Sequence, residues 1–345
     1  MTAREGSLVI QTAFLGDVIL TTPLLRLLAQ RGPVDVVTTP AAAPLLARNP
    51  AVRETIVFDK RGSARGLRGL ARLARALRER RHATAYLAQA SMRSGALALL
   101  ARIPERVGFV AASGRRFYTR RVPYRDDLHH AERLLRLALP ADAEPVPREM
   151  LRPALFPAAE DEAAVAAALR DGEIRTERFV VLAPGSVWAT KRWPYYPELA
   201  AQLAASDDVV VVGGPAEREL ARAIVARVEA AGGRALDLTG RLSLLGSAAL
   251  LRRARALVTN DSAPLHLASA TNAPTLAIFG PTVPAFGFGP LALRSVVAEE
   301  PTLACRPCDR HGPQRCPLGH WRCMRELSPT VVASLLADLL TNPEH

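Results

Sequence analysis

Apolar positions along the chain fall into short β-branched runs separated by longer periodic stretches, and this alternation occurs twice. "SLVIQ" (7–11), "VDVVTT" (34–39), "VRETIVFD" (52–59) and "ATAYLAQ" (83–89) read as strands. Their apolar residues fill both faces, as in parallel strands covered by helices. The stretches between them, "DVILTTPLLRLLAQRG" (17–32), "PAAAPLLARNP" (40–50) and "RGSARGLRGLARLARALRERR" (61–81), carry helical spacing. A segment holding Pro140, Pro145, Pro147, Pro153 and Pro157 breaks the pattern and reads as a connection between domains. A predicted helix over 159–171 opens the second series. Its strands are "RFVVLAPGS", "DDVVVVGGP", "RALDLTG", "ARALVTNDS" and "PTLAIFGPT".

Strand–helix–strand alternation with right-handed crossovers predicts a doubly wound parallel sheet in each half. The expected α/β fold is therefore two Rossmann-like domains, 1–155 and 156–327, facing each other across a cleft. A capped amphipathic helix in 328–345 is expected to cross back to the first domain.

One residue interrupts the opening apolar run. Asp17 follows Gly16 in "AFLGDVILTTPLL", and an unpaired buried carboxylate costs several kcal/mol. The strand-to-helix loop expected there puts Asp17 at the carboxyl edge of the first sheet, where α/β folds bind ligands. It reads either as a cap for the following helix or as a group with a chemical task.

Composition narrows the classes. Of the 345 residues, 49% are hydrophobic and 23% charged, the balance of a water-soluble globular protein. The opening run has no small-residue cleavage site and is broken by Asp17, so it does not read as a signal peptide. No stretch reaches the roughly 20 uncharged apolar residues of a membrane span. The expected location is cytoplasmic. A formal charge of +12 calls for an anionic partner. Zinc-finger spacings and aromatic-studded strands are missing, which disfavours nucleic acid. Arg65, Arg68, Arg72 and Arg75 share one stripe of the 61–81 helix, with Leu67, Leu70, Leu73 and Leu77 on another. Arg115, Arg116, Arg120 and Arg121 extend the basic surface.

The second half carries the sharper motifs. "VLAPGSVWATKRWP" places Ser186 and Lys191 in a loop after a strand, where a hydroxyl donor and a point charge suit a phosphate. "VTNDSAPLHLASA" ends a strand and starts a helix at Asp261, Ser262, Ala263 and Pro264, with His266 in its first turn. A helix N-terminus of this kind attracts anions through free amides and the helix dipole. Glu217 follows the "VVVVGGP" turn, a place suited to ribose hydroxyls. Neither a GxGxxG fingerprint nor a Walker A sequence is present, which disfavours dinucleotide redox chemistry and P-loop hydrolysis.

Taken together, "LGDVILTTPLLRLL", "PGSVWATKRWP" and "GRLSLLGSAALLRRARALVTNDSAPLHLASATNAPTLAIFGPT" resemble the bacterial ADP-heptose:lipopolysaccharide heptosyltransferases, glycosyltransferase family 9, nearest the heptosyltransferase II branch. The resemblance runs the length of the chain. It implies a GT-B glycosyltransferase that moves heptose from ADP-heptose to the inner core of lipopolysaccharide, Kdo-lipid A or its heptosylated form, with inversion. It implies Asp17 as general base. Ser186, Lys191, Asp261, Ser262, Ala263, Pro264 and His266 would lie about the diphosphate, and Glu217 at the ribose. No catalytic cofactor and no nucleic acid are implied. The acceptor places the enzyme at the anionic inner face of the inner membrane, against which the arginines would lie. Two other readings fit the same features: a related GT-B transferase with another nucleotide sugar or acceptor, and a non-catalytic basic protein for lipid or nucleic acid.

All four cysteines, Cys305, Cys308, Cys316 and Cys323, fall in "CRPCDRHGPQRCPLGHWRCM". The CxxC opening suits a structural zinc site, although the second pair is more widely spaced. Thiols that simply pack a loop are the other reading.

Overall fold

The protein is described by a computed structural model that covers residues 5–62 and 64–342. It divides into two compact units, Met1–Phe156 and Pro157–His345. The first runs β1 (Ser7–Ile10), α1 (Leu15–Ala29), β2 (Val34–Thr38), α2 (Ala43–Leu46), β3 (Glu54–Val57), α3 (Gly66–Glu79), β4 (Thr84–Leu87), α4 (Met92–Leu100), β5 (Glu105–Phe109), β6 (Arg120–Val122), α5 (His130–Arg136) and α6 (Arg148–Leu151). The second runs α7 (Ala159–Asp171), β7 (Phe179–Ala183), α8 (Tyr196–Leu203), β8 (Asp208–Val211), α9 (Arg218–Ala230), β9 (Ala235–Asp237), α10 (Leu244–Arg253), β10 (Ala256–Asn260), α11 (Ala263–Thr271), β11 (Thr275–Phe279), β12 (Ser295–Glu299), α12 (Arg322–Arg325) and α13 (Pro329–Thr341).

Each unit holds one six-stranded sheet, ordered β3-β2-β1-β4-β5-β6 and β12-β11-β10-β7-β8-β9. Every pairing is parallel. The two orders are the same once each unit is numbered from its own first strand. In both, the order reverses beside the first strand, between β1 and β4 and between β7 and β10. Loops leaving the carboxyl ends of those four strands therefore flank the ligand crevice of such a fold.

Central strands are fully buried, as their uninterrupted Val, Ile and Leu content requires: Val180, Val209, Val258, Leu276 and Ile278 are at 0% exposure. Two strands escaped the apolar pattern. β6 is the basic triplet Arg120–Val122 at one sheet edge, and β12 is an edge strand of mostly half-buried residues.

α1 contains Pro23, which cannot donate to the carbonyl four residues back. Thr22 Oγ1 donates to that carbonyl, Ile19 O, at 2.8 Å and also accepts Ala154 N–H at 3.0 Å. Arg26 donates to Met150 O at 2.8 Å. The proline-rich connection is thus fastened to the first unit, and the boundary falls after Phe156. α13 packs on α8, β11 and β12 of its own unit. Val332, Leu336 and Leu339 join the core built on β7, β8, β10 and β11. α3 also departs from its expected stripe. Leu70 and Leu77 are buried, but Leu67, in the first turn, is 84% exposed.

Asp35 on β2 is a fully buried carboxylate. Arg53 approaches it with two bonds of 2.9 and 2.7 Å, and His82 Nε2 stands 2.8 Å away. Burial opposes its charge, but these partners prevail and hold its pKa well below the usual carboxylate range. A depressed folded-state pKa adds stability above the unfolded value near 4, and that stability is lost as pH falls through and below it. Asp35→Asn, which leaves the basic partners without their counter-charge, is expected to cost about 3 kcal/mol in urea unfolding. Glu54→Gln, which disrupts an exposed pair with Arg80, is expected to cost under about 1 kcal/mol.

Candidate active site

In the first unit the site starts at the end of β1. Gln11 Nε2 donates to Ala88 O at 3.2 Å, and Gln89 bonds Thr12 through both its amide oxygen and nitrogen. These bonds tie the loop after β1 to the loop after β4. Asp17 does not sit in that loop. It is the third residue of α1, on the first turn, with Gly16 buried inside the same turn. Its Oδ2 accepts the Phe14 N–H at 3.2 Å, so it does cap the helix. Oδ1 lies 3.4 Å from His130 Nε2 at the start of α5. Burial pushes Asp17 up to about 6, while the Phe14 N–H pulls the other way. A carboxylate of that pKa is ionised at neutral pH and basic enough to receive a proton.

Beside it, Thr12, Phe58, Lys60, Arg61, Ser91, Arg93 and Ser94 line a cavity of about 280 Å³. Lys60 Nζ donates to Thr12 O at 2.7 Å. Burial lowers its pKa, and repulsion from Arg61 and Arg93 lowers it further. Among the described residues none of the three cations has a carboxylate within ion-pair distance. The cavity is a concentration of uncompensated positive charge at the sheet's switch point, and the sequence pattern gave no sign that these three residues converge.

In the second unit, two loops are joined by Asn260. Its Nδ2 donates to Pro184 O at 2.8 Å, and its Oδ1 accepts from Trp193 N–H at 3.2 Å and Tyr196 Oη at 3.3 Å. This buried amide fixes the 184–193 segment over the end of β10. Lys191 Nζ is consequently held 2.5 Å from Asp261 Oδ2, both side chains nearly buried. Thr282 Oγ1 donates to the same oxygen at 2.7 Å. Ser186 is buried, and its Oγ accepts the Trp188 N–H at 3.2 Å. Asn260 and Thr282 are functional positions that motif reading missed. Both are common polar residue types whose placement depends on tertiary contact.

At the start of α11, where an anion site is expected, fewer amides are open than the motif suggests. Leu265 N–H is used on Ser262 O, and Pro264 has none to offer. The amides of Ser262 and Ala263 are the ones left without an acceptor among the described residues. His266 is buried in the first turn. Burial presses its pKa down to about 4, with Asp261 opposing and Lys191 adding to the shift, so the ring is neutral at pH 7. Its Nδ1 has no hydrogen-bond partner among the described residues. Glu217 lies in the turn after β8 and packs on two glycines. A methyl group on Gly185 would stand 2.5 Å from Glu217 Cγ, and one on Gly213 would stand 3.0 Å from its Cβ.

The cysteine segment braces this loop. Gln314 accepts Ala189 N–H at 3.1 Å and donates to Val187 O at 3.0 Å, Thr190 Oγ1 donates to Pro313 O, and Trp188 stacks on His311. The four thiols are free. Among the described residues, no three His, Cys, Asp or Glu side chains form a group able to hold a metal ion. Cys305, Cys308 and Cys316 nevertheless line one cavity of about 190 Å³ with His320, whose Nε2 stands 4.0 Å from Cys305 Sγ. Cys323 is buried in the core beside Met324. Cys308 Sγ donates to Cys305 O. Cys316 receives backbone N–H groups from Trp321, Leu318, His320 and Gly319, which pull its pKa down against burial. Burial pushes Cys323 up to about 11. Alkylation at pH 8 followed by mass mapping is expected to modify Cys316 first and Cys323 last. Uniform protection of all four would instead indicate a metal-filled cluster.

The family profile of "Glycosyltransferase family 9 (heptosyltransferase)" matches residues 70–318. Lipopolysaccharide heptosyltransferase 2 of Salmonella typhimurium is 30% identical over 294 residues, covering 81% of this chain and 84% of that protein. The solved E. coli ADP-heptose lps heptosyltransferase II is 27% identical with a TM-score of 0.79, covering 99% of this chain and 100% of that one. A family 9 glycosyl transferase from Veillonella parvula shares the fold at 22% identity and a TM-score of 0.84, over 99% and 98% of the two chains.

Proposed function

The chain belongs to glycosyltransferase family 9, the heptosyltransferases, and on that premise we propose that it moves a heptosyl unit from ADP-heptose to the inner core of lipopolysaccharide with inversion at the transferred carbon. The observation that carries the reading is the half-buried Asp17 at the start of α1, whose pKa near 6 suits a general base at neutral pH. The relatives named for heptose transfer to lipopolysaccharide, matched over four-fifths or more of their length, support the donor and acceptor.

The roles divide by chemistry. Transfer breaks the bond between the sugar's anomeric carbon and the diphosphate, leaving negative charge on ADP. In this reading Lys191 and the free amides of Ser262 and Ala263 receive that charge as fixed dipoles and a fixed cation. Asp261 and Thr282 aim the ammonium group rather than touch the diphosphate, since a carboxylate facing a phosphate would repel it. Pro264 shapes the helix start, and neutral His266 keeps a lone pair or N–H at Nδ1 for the donor. Ser186 donates from the loop before Lys191, and Glu217 accepts from the ribose hydroxyls. As the anomeric carbon opens, the acceptor hydroxyl attacks from the opposite side and gives its proton to Asp17.

The acceptor is a polyanion, and the cavity bearing Lys60, Arg61 and Arg93 is the part of the first unit suited to its charged groups. Arg65, Arg68, Arg72, Arg75, Arg115, Arg116 and Arg121 are exposed and in this reading lie against anionic lipid, each worth about 1 kcal/mol. Arg120 leaves that set, since it bonds Glu105 and Leu137 O within the fold. No helix among the described residues is long and apolar enough to cross a membrane, so we assign a peripheral position on the inner face of the inner membrane.

Incubation with ADP-heptose, other nucleotide sugars and truncated lipopolysaccharides, followed by mass analysis, tests the assignment. The expected gain is one heptosyl unit from ADP-heptose only; transfer from a different donor would replace the reading. Asp17→Asn is expected to lower kcat by at least about a hundredfold while ADP-heptose still binds. The raised carboxyl pKa sets the pH dependence: Asp17 must be ionised to accept a proton, so kcat should fall as pH drops through about 6.

A further inference from the structure

Asp17 is bonded on one side and faced by an imidazole on the other. Its Oδ2 receives the Phe14 N–H from its own helix, and its Oδ1 faces the imidazole Nε2 of His130 at 3.4 Å from the first turn of α5. His130 is buried, with 9% of its side chain exposed, and α5 packs along α1. We propose that His130 is the positioning residue of the base, keeping the Asp17 carboxylate anionic and fixed in orientation for the incoming hydroxyl. The inference rests on the assignment of Asp17 as base and adds a residue to it.

The physical case follows from what surrounds the pair. Burial alone favours the protonated acid, in which form Asp17 cannot act. A group that donates to, or carries positive charge toward, Oδ1 offsets this. The other charged residues of α5 are engaged elsewhere: Glu132 pairs with Arg136 at 3.0 Å, and Arg133 bonds Arg125 O, Asp126 O and Tyr124 Oη. On α1, Arg26 bonds Met150 O, and Lys60 in the neighbouring loop bonds Thr12 O. His130 is thus the titratable side chain presented to Asp17 at ion-pair distance. With one carboxylate oxygen bonded within α1 and the other facing the His130 ring of α5 at 3.4 Å, the range of orientations open to the carboxylate is narrowed, which favours a reactive geometry. The sequence shows only a second histidine in "LHHAERLL", a pattern that also suits simple helix packing.

The sign of the effect is fixed in advance. Losing the partner at Oδ1 raises the Asp17 pKa, so more enzyme is protonated at a given acidic pH. For His130→Ala the acid limb of the kcat profile is expected to move up by about one pH unit. Turnover then falls about fivefold at pH 6 and approaches a tenfold loss near pH 5, and the loss shrinks toward pH 8.5. KM for ADP-heptose should stay within about twofold. His130→Gln, whose amide can still donate to Oδ1, should show a smaller shift and guards against a folding defect in the alanine variant.

A loss that is the same at every pH, or profiles for both variants that superpose on wild type, would overturn the inference and leave His130 as a packing residue. Full activity of Asp17→Asn would remove the base itself, and this proposal with it. An inactive Asp17→Asn beside unshifted His130 variants would sink only the role of His130.

Discussion

The buried contact between Lys191 and Asp261 is the constraint around which the second unit is arranged. A lone ammonium or carboxylate at that depth would be untenable, so each requires the other. Their meeting also requires two loops separated by 70 residues to be held in register. Asn260 supplies that hold through bonds to Pro184 and Trp193, Thr282 fixes the carboxylate, and residues 311–314 clasp the strand of chain leading to Lys191. The apparent cost of a neutralised cation is a gain in direction. An ammonium group aimed by a carboxylate is fixed in place in advance, which under the proposed role of Lys191 leaves little reorganisation for the reaction itself.

Much of this was legible in the chain, for identifiable reasons. Parallel strands buried on both faces give continuous β-branched runs, so the two sheets and the helix at Ala159–Asp171 could be placed from pattern alone. The carboxyl-edge rule then marks the loops that carry Ser186, Lys191 and Asp261 and the loop that leads into the helix bearing Asp17. Edge strands are another matter. β6 is held by pairing and by the ties of Arg120, not by apolar periodicity, so its sequence reads as a basic loop. Nor could the sequence separate the arginines that serve the fold, such as Arg53 and Arg120, from those left on the surface. That distinction depends on whether a carboxylate or carbonyl happens to come within reach.

The largest revisions concern Asp17 and the cysteine segment. Asp17 moved from a loop onto the first turn of α1, where one carboxylate oxygen caps the helix and the other faces His130. The thiols, grouped closely in sequence, stay neighbours in space, with Cys305, Cys308 and Cys316 lining one small cavity with His320 and Cys323 in the core, but each has its own local partners. Short spacing along a chain fixes only which side chains can approach one another. Local backbone geometry decides whether they do.

The clasp by residues 311–314 also has a consequence in time. The loop carrying Lys191 is bonded to chain made more than a hundred residues later, through the contacts of Thr190 with Pro313 and Ala189 with Gln314. During synthesis the first unit can close its sheet and secure its connection through Thr22 and Arg26 while the second still lacks these braces. In the nascent chain the surroundings of Asp17 are therefore complete well before those of Lys191, and the two units acquire their loop geometry one after the other.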